Sequence, residues 1–295
     1  MKKILVVGGF GFLGSTLVSQ LFETNKYDIT ILVKKSSNAF RINKNILKKV
    51  KVAYIENINF DSFFKQNEFY SVVNLAVIYD DIFDYKVFET NFILTLKIIE
   101  YAKINLCENF ITFGSFFSKF KNYDQKVAYT SSKKNLSDHL KSISKARVLN
   151  LQLEHMYGPF DSESKFIPQI AKHIYENNKE IKLTKGTQKR DFIFVKDVCD
   201  LTLEILEKFN YFDFGFSTIE VGNGKSIEVK EFIEKMKYIF KNDITKLRFG
   251  THPENINEIK ESKANLDLIP SFMSWKPKTS ISEGIIEILK NIKKK

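Results

Sequence analysis

With 295 residues, 43% of them hydrophobic and 14% aromatic, the chain is long and apolar enough to bury a core, which excludes disordered and fibrous classes. Its net charge is +11, yet the lysines are spread along the chain, with short runs at Lys48, Lys49 and Lys51 and at Lys294 and Lys295. Arginine, the better bidentate reader of phosphate, occurs only at positions 41, 147, 190 and 248, so a solvated surface is expected and no nucleic-acid face.

Taken in chain order, the first strand (Lys3–Val7) runs into Gly8-Gly9-Phe10-Gly11-Phe12-Leu13-Gly14 and a helix (Phe12–Phe22). The G-x-x-G-x-x-G spacing lets the backbone turn tightly and brings amide N–H groups and the helix N-terminus against a pyrophosphate. A dinucleotide is therefore expected, contacted by Gly8, Gly11, Phe12, Leu13 and Gly14. An NAD enzyme carries Asp or Glu at the end of the second strand (Ile29–Val33) to hold the ribose 2′-hydroxyl. Here Val33 takes that place and Lys34, Lys35, Ser36 and Ser37 follow, a setting for a 2′-phosphate. NADP is the expected cofactor. NAD is the alternative, in which Lys34 and Lys35 are surface charge.

Strands at Val50–Ile55, Val72–Ala76, Asn109–Gly114 and Arg147–Leu151 alternate with helices at Asp81–Lys103 and Tyr129–Ser142. That alternation predicts an α/β fold with a Rossmann-type doubly wound parallel sheet, helices covering both faces. Past residue 155 the regularity breaks at Gly158-Pro159, and helices at Phe166–Asn177, Val229–Phe240 and Ser282–Lys290 mix with isolated strands. The expected division is a dinucleotide-binding domain over 1–155 and a smaller mixed α/β substrate lobe over 156–295, interwoven with the first domain. No run of about 18 apolar residues could span a membrane. Cys107 and Cys199 have no metal-ligand spacing, so no metal and a reducing compartment are expected. Met1 leads directly into a strand without a signal-peptide pattern, which predicts a cytoplasmic protein.

Tyr129-Thr130-Ser131-Ser132-Lys133 has the form Y-x-x-x-K. Such pairs arise readily by chance, and Tyr175 with Lys179 is another, but Tyr129 opens a helix shortly after a strand ending in Thr112-Phe113-Gly114-Ser115. One helical turn puts Tyr129 and Lys133 on the same face. Reducing a carbonyl requires a hydride on carbon and a proton on oxygen. Tyr129 can give that proton if the Lys133 ammonium stabilises its phenolate, and Ser115 can donate to the oxygen where charge develops. The alternative for Ser115 is a turn or cap serine.

This set resembles the extended short-chain dehydrogenase/reductase family, of NAD-dependent epimerase/dehydratase type, with Val7 where its T-G-x-x-G-x-x-G pattern has Thr. The resemblance implies the roles just given to Ser115, Tyr129 and Lys133, with Tyr129 and Lys133 also touching the cofactor. It further implies cofactor contacts from Asn57, from Leu75 and Ala76 in Asn74-Leu75-Ala76, and from Asn91 in Glu89-Thr90-Asn91-Phe92. Met156-Tyr157-Gly158-Pro159 is similar to the family's V-Y-G-P segment. Lys189-Arg190-Asp191-Phe192-Ile193-Phe194-Val195-Lys196-Asp197-Val198 is similar to the R-D-F-I-Y-V-x-D-V stretch of nucleotide-sugar epimerases, dehydratases and 4-ketoreductases. By that resemblance Arg190 contacts the substrate's pyrophosphate, and Ser115, Tyr157, Lys165 and Phe166 line the substrate pocket. For Lys165 and Phe166 a helix N-terminal turn is the alternative. Asp80 and Asp81 either touch the hexose or cap the following helix.

The family's 4,6-dehydratases carry an Asp-Glu pair just after the catalytic Ser/Thr. Phe116 and Phe117 stand there and cannot move a proton. No Cys or His follows Ser115 closely, which disfavours a combined epimerase-reductase. The expected activity is NADPH-dependent reduction of the C4 ketone of a nucleotide-linked 4-keto-6-deoxy sugar, in bacterial surface-polysaccharide sugar biosynthesis. An NAD-retaining nucleotide-sugar 4-epimerase is the alternative, and a non-catalytic NADP-sensing or scaffold protein a second. A homodimer through helices 81–103 and 129–142 is implied by the resemblance.

Overall fold

The structure, a computed structural model, describes residues 1–79, 85–120, 126–255 and 257–293. Asp80, Asp81, Lys294 and Lys295 thus lie outside the described residues. In the first half the order is β1 (Lys2–Val7), α1 (Phe12–Glu23), β2 (Tyr27–Val33), the single turn α2 (Lys44–Leu47), β3 (Lys51–Tyr54), α3 (Phe60–Asn67) and β4 (Ser71–Asn74). It continues with α4 (Tyr85–Phe88), α5 (Leu94–Ile104), β5 (Asn109–Ser115), α6 (Val127–Leu140) and β6 (Arg147–Leu153). A π-helical turn, Glu89–Ile93, joins α4 to α5. The later elements are β7 (His155–Tyr157), α7 (Phe166–Tyr175), β8 (Glu180–Lys182), β9 (Lys189–Arg190), β10 (Phe192–Phe194), α8 (Val195–Lys208), β11 (Gly215–Val221), β12 (Ile227–Glu228), α9 (Val229–Ile239), β13 (Lys246–Arg248), β14 (Glu261–Ser262) and α10 (Ile281–Ile292).

The main sheet runs in the order β11-β6-β5-β4-β1-β2-β3, and β1 to β6 pair in parallel. Strands buried on both faces need continuous apolar runs, and Ile4-Leu5-Val6-Val7 is such a run, with no exposed surface. The strand order reverses between β1 and β4, so the chain leaves their carboxyl ends in opposite directions and opens a crevice there. On one face of the sheet Leu5, Val7, Leu32, Val72, Phe110 and Val148 pack with Phe60 and Phe64 of α3, Ile98 and Ile99 of α5, and Leu136 and Leu140 of α6.

The chain forms two compact units. The first holds Met1–Leu153, Cys199–Ile219 and Ile269–Trp275, and the second holds Glu154–Val198, Glu220–Leu268 and Lys276–Lys295. Two later segments therefore return to the first unit, and the first of them carries most of α8 and of β11, which extends the sheet beside β6. The second unit has its own core, with Tyr157, Phe192, Phe194, Phe232, Met236, Ile285 and Ile288 packed between small sheets and helices. Among the described residues no helix is long and apolar enough to cross a membrane.

Candidate active site

Two of the glycines after β1 are required by geometry. Gly8 has φ +77°, and a Cβ there would sit 2.8 Å from the backbone nitrogen of Ala76. A Cβ on Gly14 would meet the carbonyl oxygen of Gly8 and lie 2.8 Å from Cα of Gly9. The loop is thus drawn tight against the segment that follows β4, and Leu75 donates its N–H to Val7 at 2.9 Å. No side chain caps α1 and its first turn carries no acid, so its positive end is left for an anion. This tight loop, at the uncapped N-terminus of α1, fits a dinucleotide pyrophosphate.

Beyond β2, Lys34, Lys35, Ser36 and Ser37 are all exposed. Lys34 Nζ lies 3.4 Å from Thr90 Oγ1. The backbone N–H of Lys35 donates to the Glu56 carboxylate at 3.0 and 3.2 Å. Hydrogen bonds from Glu56's own N–H and from that of Lys35, with both lysine charges adding, hold the Glu56 carboxyl below the usual range. Glu56, two residues past β3, is not among the candidates read from the sequence, although an acid just after a short strand was the visible signal. Its neighbour Asn57 is exposed in the same turn.

Ser115 ends β5, Tyr129 is the third residue of α6 and Lys133 follows one turn on, and all three are buried. Burial raises the Tyr129 phenol above its ordinary value, while a hydrogen bond with Ser115 lowers it. Lys133 donates to the carbonyl oxygen of Phe113 at 2.7 Å. Burial pulls its ammonium down to about 8. The three residues expected to do the chemistry are thus brought together by a strand end and one helical turn. Ser115 also caps a 3-10 turn, accepting from Phe117 N–H at 3.4 Å, so its cap reading holds as well.

Asn91, on the π-helical turn, is fully buried. Its amide donates to the carbonyl of Ile78 at 3.0 Å and to Ser132 Oγ at 3.1 Å, and accepts from Ile78 N–H at 2.8 Å. The asparagine placed against the cofactor by resemblance instead ties the post-β4 loop to α6. A π turn shifts the side-chain register, which aims this amide inward.

The remaining substrate candidates belong to the second unit. Tyr157 is 1% exposed and packs edge-on against Phe194 and Phe232, so it is a core residue there with no surface for a ligand, a correction to the reading by resemblance. Lys165 and Phe166 are the N-cap and first residue of α7, and Lys165 pairs with Asp161 at 2.9 Å, as the helix-terminus reading has it. Arg190 is 4% exposed. Its guanidinium is engaged by the Glu258 carboxylate and by the carbonyls of Lys189 at 2.8 Å and Ile259 at 2.6 Å. His155 is half-buried, and desolvation together with the Arg190 charge pushes its imidazole down to about 3, so it stays neutral. Among the described residues no cluster suits a metal ion.

The sequence model of the NAD dependent epimerase/dehydratase family matches residues 4–214. The CDP-abequose synthase of Salmonella muenchen is 31% identical over 305 residues, covering 98% of this chain and 97% of the relative. Among solved structures, the UDP-N-acetylglucosamine 4-epimerase from Methanobrevibacter ruminantium M1, in complex with UDP-N-acetylmuramic acid, superposes with a TM-score of 0.82 at 21% identity over 98% of both chains. The UDP-glucose 4-epimerase of Thermus thermophilus, in complex with NAD, does so with a TM-score of 0.79 at 16% identity over 99% of both. At those identities the two structures speak to the fold alone.

Proposed function

The chain belongs to the NAD dependent epimerase/dehydratase family, as an oxidoreductase of the short-chain dehydrogenase/reductase type, and we propose that it reduces the C4 ketone of a nucleotide-linked 4-keto-6-deoxy sugar with NADPH. The observation that carries this reading is the buried Ser115, Tyr129 and Lys133 set, followed by Phe116 and Phe117. That set can move one proton to a carbonyl oxygen, and the two phenylalanines supply neither acid nor base for elimination or for proton abstraction beside the ketone. The CDP-abequose synthase relative makes a CDP-linked sugar the first candidate substrate.

Gly8, Gly11 and Gly14 would hold the cofactor's pyrophosphate, Lys34 and Lys35 its 2′-phosphate, and Lys133 its nicotinamide ribose. A bound nicotinamide would supply the hydride to the ketone carbon. Tyr129 donates its phenolic proton to the ketone oxygen, Ser115 donates a hydrogen bond to the same oxygen as charge builds, and the Lys133 ammonium stabilises the phenolate left behind. The exposure of Lys34 and Lys35 favours NADPH. The carboxylate of Glu56 beside Lys35 N–H favours a second reading, an NAD-retaining 4-epimerase, because an acid near a ribose suits a free 2′-hydroxyl.

Mass spectrometry of the denatured, as-purified protein, with NADPH and NADH titrations, separates the two. Protein free of nucleotide that binds NADPH more tightly than NADH supports the reductase, whereas stoichiometric NAD supports the epimerase. Against 4-keto-6-deoxy sugar nucleotides, CDP-linked first, Tyr129→Phe should lose roughly 10²- to 10⁴-fold in kcat with NADPH affinity unchanged. Wild-type turnover in that variant would remove Tyr129 from its role.

A further inference from the structure

The ring of Tyr129 is flanked on two sides. Phe117 meets it edge-on, with centroids 6.4 Å apart at 85°, and is buried. Tyr79 meets it edge-on at 4.7 Å and 78° while keeping 44% of its own surface exposed. Lys126 sets its ammonium 4.1 Å from the centroid of the Tyr79 ring, a cation–π distance. Lys126 is also the N-cap of α6, in the left-handed region at φ 51°, so that ammonium is tied to the start of the helix carrying Tyr129.

The backbone next to Tyr79 is held from below. Asn91 takes both the N–H and the carbonyl of Ile78, and the same amide donates to Ser132 Oγ, which in turn donates to the Tyr129 carbonyl at 2.8 Å. One buried amide therefore fixes the residue before Tyr79 and the helical turn that bears Tyr129. A cation, two rings and a shared anchor form a closed set.

We infer that Tyr79 is a positioning residue for the oxidoreduction, its ring clamped by Lys126 and the Asn91-held backbone so that it fixes the orientation of the Tyr129 phenol. The inference rests on Tyr129 being the proton donor. A phenolic oxygen sits at the far end of its side chain, so a small ring tilt moves it out of line with the atom it serves. Ser115 restrains that oxygen from one direction, and the flanking rings restrain the plane of the ring. Phe117 is locked in the core, so Tyr79 is the flanking ring whose loss the interior does not absorb.

The test compares Tyr79→Phe, Tyr79→Leu, Lys126→Met and Tyr129→Phe in the full-length protein. Tyr79→Phe keeps the ring and should retain wild-type kcat. Tyr79→Leu should lower kcat roughly 10- to 100-fold while leaving the KM for sugar nucleotide and the NADPH affinity unchanged, with a larger isotope effect from deuterated cofactor. Lys126→Met keeps both rings and should lower kcat roughly two- to fivefold. A further readout needs no substrate: the ultraviolet difference between each protein and its Tyr129→Phe counterpart reports ionisation of Tyr129. With Tyr79→Leu, water reaches Tyr129 and its phenol should ionise at lower pH than in wild type. Unchanged kcat and an unchanged titration in Tyr79→Leu overturn the inference, as does a rise in KM alone, which would make Tyr79 a substrate contact. If Tyr129→Phe itself keeps turnover, the proton donor is misassigned and both readings fall; if only Tyr79→Leu keeps it, this one falls alone.

Discussion

Burial acts on Tyr129 and Lys133 in opposite senses, raising the phenol and lowering the ammonium to about 8. Proton donation needs the phenol protonated and the ammonium charged, so the lysine sets the alkaline limit. Activity should therefore fall as pH rises through about 8, with the limb shared between the two coupled groups. Stability runs the other way. The folded value lies below the ordinary 10.5, so the unfolded chain binds more protons between about 8 and 10.5, and the cost of burying Lys133 is relieved across that window. A pH–rate profile flat to pH 10 would show that Lys133 is not the controlling ammonium. At this scale Ser115, Tyr129 and Lys133 were legible because one helical turn and one strand end suffice to join them. Tyr157 was not, because its motif says nothing about whether its ring faces a ligand or Phe194 and Phe232.

Among the elements, the β1–α1 junction carries the sharpest constraint. Gly8→Ala forces a side chain into the left-handed region, worth about 1–2 kcal/mol, and drives a Cβ against the Ala76 backbone. It should lower the urea midpoint and weaken NADPH binding at least tenfold, both readable by titration; unchanged affinity would mean that the loop does not cradle the cofactor. The strands β1 to β6 and helices α1, α6, α7, α9 and α10 follow the sequence pattern to within a few residues, because apolar runs and amphipathic stretches are local signals. The predicted helix over 81–103 appears as α4, a π turn and α5, and its first four residues lie outside the described ones. Helix α3 went unread although Asn59 caps it by accepting from Ser62 N–H. Helix α8 was hidden beneath the Lys189–Val198 motif, and β11, an edge strand with two exposed residues at its centre, has little apolar pattern to read.

For the molecule as a whole, a charge of +11 would attract the anionic ligands of the proposed reaction. Salt shortens the reach of that field to about 8 Å at physiological ionic strength. We expect kcat/KM for the nucleotide sugar to fall as sodium chloride is raised from low to physiological concentration, while kcat stays level. A kcat/KM that ignores salt would reduce the lysine excess to a solvated surface with no part in capture. Composition cannot show how distant segments are stitched. Asp191, fully buried, accepts N–H bonds from Asn223 at 2.6 Å, Gly224 at 2.9 Å and Ala264 at 3.1 Å, gathering two other stretches of the second unit onto one carboxylate.

By itself the sequence determined the doubly wound sheet, the glycine cradle and the Ser115, Tyr129 and Lys133 set, since each depends on periodicity, backbone freedom or spacing within a few residues. Tertiary structure decided what rests on contact between remote residues. It turned Asn91 into a tie between a loop and a helix, spent the Arg190 guanidinium on Glu258, placed Glu56 against Lys35, and laid the Tyr79 ring on Tyr129. Side-chain partnership and burial are properties of packing, and no local pattern encodes which distant atom a buried polar group will meet.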